Sequence, residues 1–270
     1  MYEALSDRVV SVLTLNLWNR APPWDERLAV IRAGIEALKP DVIALQEVIE
    51  LPELGFDQAK LVAEGFGYET FVGRGAGGEL LLSNAVLSRF PIVQREVLTL
   101  PDGGHPESRC ALLTRLATPW GALPFACTHL NWKLDQGHVR CAQVRHVVRA
   151  LDEFHAAGDM PAVLAGDFNA EPDSDEMRYL RGATGLGGEC VFFNDCWIGA
   201  GDGSAGITFA QRNPYAALSR EPDRRLDYVF VRGPDEHVRG VPLECRVCFD
   251  APVDGVWASD HFGVYARVEL

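Results

Sequence analysis

Residues 82–128 read LSNAVLSRFPIVQREVLTLPDGGHPESRCALLTRLATPWGALPFACT, and this stretch decides the fold. Apolar, β-branched runs at residues 85–88, 111–116 and 124–128 follow one another with no helical periodicity between them. The turn-forming segments LPDGGHP and TPWG separate them. A parallel doubly wound sheet needs a long crossover between strands, so strands joined by short turns point to antiparallel pairing. Further strands are predicted over residues 9–15, 42–46, 162–165, 226–231 and 263–268. The alternation in LECRVCF reads as one more, which makes Cys245 and Cys248 strand residues and not half of a zinc set. Two long helices flank these runs. The first starts near Asp25, carries Leu28, Ile31, Ile35 and Leu38 on one face, and is stopped by Pro40. The second covers residues 138–156, with Val144, Val147, Val148 and Leu151 inward and its arginines outward. A shorter helix begins at Asp173 or Ser174, where the acidic run PDSDEM suits a first turn. The expected class is α+β, with two mainly antiparallel sheets packed together and helices outside. No repeat, low-complexity tract or linker divides residues 1–270, so a single domain is expected.

Composition narrows the function. The chain has 270 residues, 47% of them apolar, and 25 basic against 38 acidic side chains give a formal charge of −13. Disorder, collagen and a disulfide-dense miniprotein are excluded. The negative charge argues against a strong, sequence-blind DNA binder, while leaving room for a basic groove on an acidic body. No run approaches the roughly 18 apolar residues that a membrane-spanning helix needs. Glu3, Asp7 and Arg8 interrupt what would otherwise read as a signal peptide. Seven scattered cysteines suit a reducing compartment, and a cytoplasmic location is expected. Nothing in the sequence specifies a protein partner.

Polar and acidic residues recur where apolar runs end. Asn16 ends VLTLN, Glu47 ends VIALQE, His129 and Asn131 end FACTHLN, and Asp167 and Asn169 end VLAGDFN. Asp227 lies in RLDYVF, and Asp260 with His261 opens SDHFGVYARV. Any one of these is explained by capping or turn formation. Six together are not, because capping does not demand histidines and acids at these places, and strand ends on one rim converge in space. Glu47, Asp167, Asp260 and Asn16 are hard oxygen ligands suited to Mg²⁺ or Mn²⁺. His129 and His261 can donate to phosphate oxygens or carry a proton, with Glu79 and Asp227 available to orient them. The set describes hydrolysis of a phosphate ester.

The motifs LTLNLW, LQEV, NAVLSR, THLN, GDFNAEP, RLDYVF and SDHFGV, in this order, resemble those of the endonuclease/exonuclease/phosphatase superfamily, with its deoxyribonuclease-I-like fold. The resemblance implies a four-layer α/β/β/α sandwich with a site along one edge. It implies Glu47 as the principal metal ligand, Asn16 beside it on metal or phosphate, and Asp260 completing the metal environment. Asp167 would position or deprotonate the attacking water, and Asn169 would hold a phosphate oxygen or that water. His261, oriented by Asp227, and His129, partnered by Glu79, would be the two imidazoles. Arg109 would reach toward the phosphate, and Thr208 has a similar standing.

Such a chain is expected to be a divalent-metal-dependent phosphoester hydrolase, acting on a small or lipid-derived phosphodiester in preference to nucleic acid. A nuclease or DNA-end-processing enzyme is the alternative, and a non-catalytic binding module on the same fold is a third. The inositol phosphatase branch is disfavoured, because its tryptophan before GDxN and its PAWCDR stretch are missing from LAGDFN and EPDRRLDYV. The DRR run at 223–225 reads as a solvated loop, and Trp18 and Trp132 as either pocket walls or packing beneath the rim.

Overall fold

The alternation of apolar residues along each strand sets up two buried faces per sheet, and the structure uses both. It is a computed structural model that describes residues 8–75, 82–235 and 237–270. The first sheet contains β1 (Val9–Asn16), β2 (Val42–Leu51), β3 (Phe56–Asp57), β4 (Glu69–Gly73), β5 (Leu82–Ser88), β12 (Val241–Cys248) and β13 (Gly263–Glu269). Its order is β12-β13-β1-β2-β5-β4, with β3 paired to β2. The second sheet contains β6 (Ile92–Thr99), β7 (Cys110–Thr118), β8 (Gly121–His129), β9 (Val163–Asp167), β10 (Phe193–Asp195) and β11 (Asp227–Arg232), in the order β10-β11-β9-β8-β7-β6. Only β1–β2 and β8–β9 pair in parallel; the other pairs are antiparallel.

Val10 and Val12 of β1, Phe125 and Cys127 of β8, and Val163 and Ala165 of β9 meet in the core between the sheets. Their neighbours point the other way. Leu13, Leu15, Ile43 and Leu45 pack under α1 (Trp24–Leu38) and α2 (Gln58–Ala63), while Ala126 and Leu164 pack under α3 (Gly137–Phe154) and α4 (Asp175–Leu180). The layers are therefore α/β/β/α, as expected. Helix α1 ends at Lys39, whose left-handed backbone lets its N–H donate to the Ile35 carbonyl before Pro40.

Several sequence expectations need correction. Arg140 of α3 points inward, where its Nε donates to Glu176 Oε1 of α4 at 2.6 Å, because only that pairing makes a buried guanidinium tolerable. Arg224 and Arg225 are buried, and Arg225 pairs with Asp195 at 2.8 Å, so the DRR run is not a solvated loop. Strand β6 escaped the pattern because it is an edge strand whose residues 93–97 are all exposed and show no alternation. Residues 182–225, featureless in sequence, contribute β10 and α5 (Cys196–Ala200). No helix among the described residues is long and apolar enough to cross a membrane.

One glycine is required by geometry. Gly166 has φ 152°, and a Cβ there would overlap the Thr128 carbonyl of the adjacent strand β8. Glycine before Asp167 thus lets β8 and β9 approach closely where the site begins. Gly166→Ala is expected to lower stability by about 3 kcal/mol, through strain and a forced shift of β8. Urea denaturation of the purified variant measures it.

Candidate active site

The parallel register of β8 and β9 puts His129 opposite Asp167, and the antiparallel register of β9 and β11 puts Asp227 opposite Asp167 from the other side. Asp167 therefore lies in the middle of a three-strand rim, with its carboxylate fully buried. Donors from both sheets meet it. Asn16 Nδ2, at the end of β1, donates to Asp167 Oδ2 at 3.0 Å, and the Asn169 N–H donates to Oδ1 at 2.9 Å. His129 Nε2 lies 3.4 Å and His261 Nε2 3.8 Å from Oδ2. His261 Nδ1 is 2.9 Å from Asp227 Oδ2, and the Thr208 hydroxyl accepts from the Asp227 N–H at 3.2 Å. Asp227 Oδ1 is buried with no hydrogen-bond partner among the described residues.

Glu47 reaches the same rim through an irregularity. The pairing of β2 with β5 shifts register between Leu45 and Val48, and Glu47 within it takes a left-handed backbone, φ 57°. A bulge of this kind redirects a side chain, and a strained non-glycine residue is held only where its surroundings demand it. Glu47 Oε1 accepts from Asn16 Nδ2 at 3.3 Å and Oε2 from Asn19 Nδ2 at 3.2 Å. Asp260 Oδ1 is 3.1 Å from the Ser259 hydroxyl, which also lies 2.6 Å from the Asn16 carbonyl.

The two imidazoles are held in opposite charge states. Burial, reinforced by the positive charges of Arg109 and His261, holds His129 well below the ordinary histidine range. Arg109 Nη1 lies 2.8 Å from His129 Nδ1; since guanidinium can only donate, Nδ1 accepts and Nε2 carries the proton toward Asp167. Burial also works against a charged His261, but the carboxylates of Asp227 and Asp167 outweigh it and hold that ring well above its usual range. Burial raises Asp167, an effect which His261 opposes and Asp227 reinforces.

The carboxylates of Glu47 and Asp260 are the groups best suited to a cation. Burial and the charge of Glu47 push Asp260 up to about 6, a crowding of like charges that a divalent ion would relieve. With Asn16 they form an all-oxygen donor set, the kind that Mg²⁺ and Mn²⁺ select. Asp167, Asp227 and His261 also offer donor atoms within 4.8 Å of one another. That trio is a poorer cage, since the His261 ring is held protonated and has no lone pair to give.

A family model described as the Endonuclease/Exonuclease/phosphatase family matches residues 13–261. The chain belongs to this family. Family members are phosphoester hydrolases. Among curated relatives, Protein angel of Drosophila melanogaster is 27% identical over 176 residues, covering 60% of this chain and 48% of its own length. Human Nocturnin is 25% identical over 174 residues, covering 60% and 39%. The chain thus spans less than half the length of these relatives. Among solved structures, truncated Caenorhabditis elegans TDP2 superposes with a TM-score of 0.76 at 17% identity, covering 99% of this chain and 100% of that one. The human Nocturnin catalytic domain with bound sulfate anion gives 0.71 at 19%, covering 97% and 94%. Danio rerio TDP2 complexed with a single-strand DNA product gives 0.75 at 19%, covering 98% and 100%.

Of the residues singled out from sequence, Asn16, Glu47, His129, Asp167, Asn169, Asp227 and His261 are joined by the contacts above, with Asp260 tied in through Ser259. Glu79 lies outside the described residues, as does most of GRGAGGE. Arg109, expected to reach for phosphate, is engaged here with Glu107 and with His129. Asn131 is a loop anchor that accepts from Gln143 and donates to Gln136, at 2.6 and 3.1 Å. Trp18 stacks on Tyr215 at 4.8 Å, Trp132 is half-exposed, and Trp24 and Trp257 are buried.

Sequence reasoning missed Arg27. It is fully buried on α1, and its guanidinium donates to the carbonyls of Leu17, Ala21 and Ala258, tying the loop after Asn16 to the loop before Asp260. Burial pulls its pKa down to about 10 against the pull of Asp260, Tyr215 and Glu47. Nothing in the helical period marks it; the signal is a charge next to Leu28 on an otherwise apolar face. Arg27→Met, which strands three carbonyls, should cost about 3 kcal/mol or more, read from denaturant midpoints.

Asp260 gives a pH signature. Its folded value of about 6 lies above the model 3.8, so between these pH values the folded state holds a proton that the unfolded state has lost. Stability from this group is therefore greatest at low pH and declines as pH rises through that window. In chelator, wild type should lose stability relative to Asp260→Asn between about pH 4 and 6, with no further relative loss above, as urea titrations at stepped pH will register.

Proposed function

We propose that this chain hydrolyses a phosphodiester by in-line attack of water on phosphorus, with the organic part of the substrate a small or lipid-derived group. The observation that carries this reading is the convergence of Asn16, His129, His261 and the Asn169 N–H on the one carboxylate of Asp167. Raised by burial, Asp167 is a stronger base than a solvated aspartate, and it holds and deprotonates the water. Asn169 fixes the Asp167 orientation through its N–H and presents its side chain beside the water. The protonated His261, kept charged by Asp227, donates to a phosphoryl oxygen as negative charge builds. Neutral His129 donates from Nε2, its tautomer set by Arg109. Glu47, Asp260 and Asn16 hold a divalent cation, Mg²⁺ or Mn²⁺, which when bound polarises the phosphoryl oxygens as a Lewis acid.

Asp167→Asn and His261→Gln should each lower kcat on bis-p-nitrophenyl phosphate by about 10²–10⁴-fold with folding intact by circular dichroism. Wild-type turnover should vanish in chelator and return with Mg²⁺ or Mn²⁺. Near-normal turnover by Asp167→Asn would overturn the assignment of the base.

A nuclease is the second reading, favoured by the likeness to the Danio rerio TDP2 structure with its single-strand DNA product. The net charge of −13 weighs against it. Binding to nucleic acid should fall steeply with salt through counterion release, whereas turnover of a small diester should not. Seven free thiols, four of them buried, fit the cytoplasmic location expected from sequence.

A further inference from the structure

We propose that the cavity beside Arg109 and His129 receives the amino-bearing heterocyclic ring of a nucleotide. The inference rests on the hydrolytic reading above, since it names the group attached to the phosphate that Asp167 serves. The cavity holds about 200 Å³, and Asn84, Arg109, His129, Trp132, Lys133 and Gln136 are among the residues around it. His129 belongs both to this wall and to the site, with Nε2 3.4 Å from Asp167. A molecule seated in the cavity is therefore one imidazole away from the reacting centre.

Size excludes much. An apolar cavity of roughly 150 Å³ admits a benzene ring. The present space takes one substituted or fused ring and is too small for an acyl chain. Charge excludes more. Arg109 and Lys133 repel a quaternary ammonium headgroup, and Glu107, the carboxylate in the wall, is already committed to Arg109 at 2.7 Å. What remains favours a flat ring on an anionic scaffold. Trp132, 51% exposed, offers an indole face with no aromatic partner among the described residues. Stacking of a base on such a face is sequence-tolerant and strong enough to dominate small-ligand affinity. Lys133 has no ion-pair partner among the described residues and can meet a second phosphate or the backbone of a longer chain. The last clue is Glu107 Oε2, a buried acceptor without a partner among the described residues. An exocyclic amine, as on adenine or cytosine, supplies the missing donor.

The test is calorimetric titration, in Mg²⁺, of adenosine 5′-monophosphate, adenosine 3′-monophosphate, ribose 5-phosphate and phosphocholine. At least one adenosine monophosphate should bind about tenfold or more tighter than ribose 5-phosphate, since only the base differs in kind. Trp132→Ala should abolish that preference and Trp132→Phe should retain it, which separates stacking from mere folding. Equal binding of ribose 5-phosphate, or tighter binding of phosphocholine, overturns the proposal. Turnover of bis-p-nitrophenyl phosphate, followed in parallel, distinguishes the two failures. Turnover without a base preference removes the ring pocket alone, and absence of turnover removes the hydrolytic reading on which it stands.

Discussion

A carboxylate taken wholly out of water must find donors or give up its charge, and the arrangement around Asp167 follows from that constraint. The chain meets it from two sheets at once. One oxygen takes the amide of Asn16 from the first sheet and faces two imidazoles; the other takes the backbone N–H two residues on. Neither sheet alone could do this. The rim where the layers meet is consequently the place where charge can be buried and kept, and the other acids and histidines are placed in relation to it.

The electrostatics then divide the labour. Asp227 beside His261 and Arg109 beside His129 give two chemically identical rings opposite charge states within one cleft. That division comes from partners and not from exposure, since both rings are buried. Pairs of titratable groups whose surroundings push them apart are a common mark of acid–base chemistry. Arg27 acts at a longer reach. By bonding backbone carbonyls on two loops it sets the distance between Asn16 and Asp260 without facing the cleft itself.

Much of this was legible in the chain because chemistry-bearing residues stood at the ends of apolar runs: Asn16, Glu47, His129, Asp167 and His261 interrupt patterns that otherwise have a purely structural reading. The layer order was legible for a similar reason, as the run from 82 to 128 has turns where a parallel fold would have helices. What stayed hidden depends on where a side chain turns after leaving the backbone. Arg27, Arg140 and Arg225 are charged, and hydropathy sends charge outward, whereas each is buried on a partner contributed by a distant segment. The link from Arg109 to His129 is of the same kind. Strand β6 was hidden for the opposite reason: with so much of it wet, no buried face exists to impose a period.

The pairing of β1 with β13 has a consequence for how the molecule comes into being. Val9 lies opposite Glu269 and Thr14 opposite Val264, so the strand ending in Asn16 is completed by the strand that follows His261. A nascent polypeptide leaving the ribosome carries Asn16, Glu47 and Asp167 long before that neighbour emerges. Until it docks, one side of β1 stays open, the acids have no charged imidazole beside them, and the cleft cannot act on anything it meets. Competence thus arrives late and all at once, with closure of the sheet, and contacts so distant in sequence predict slow assembly for a protein of this size.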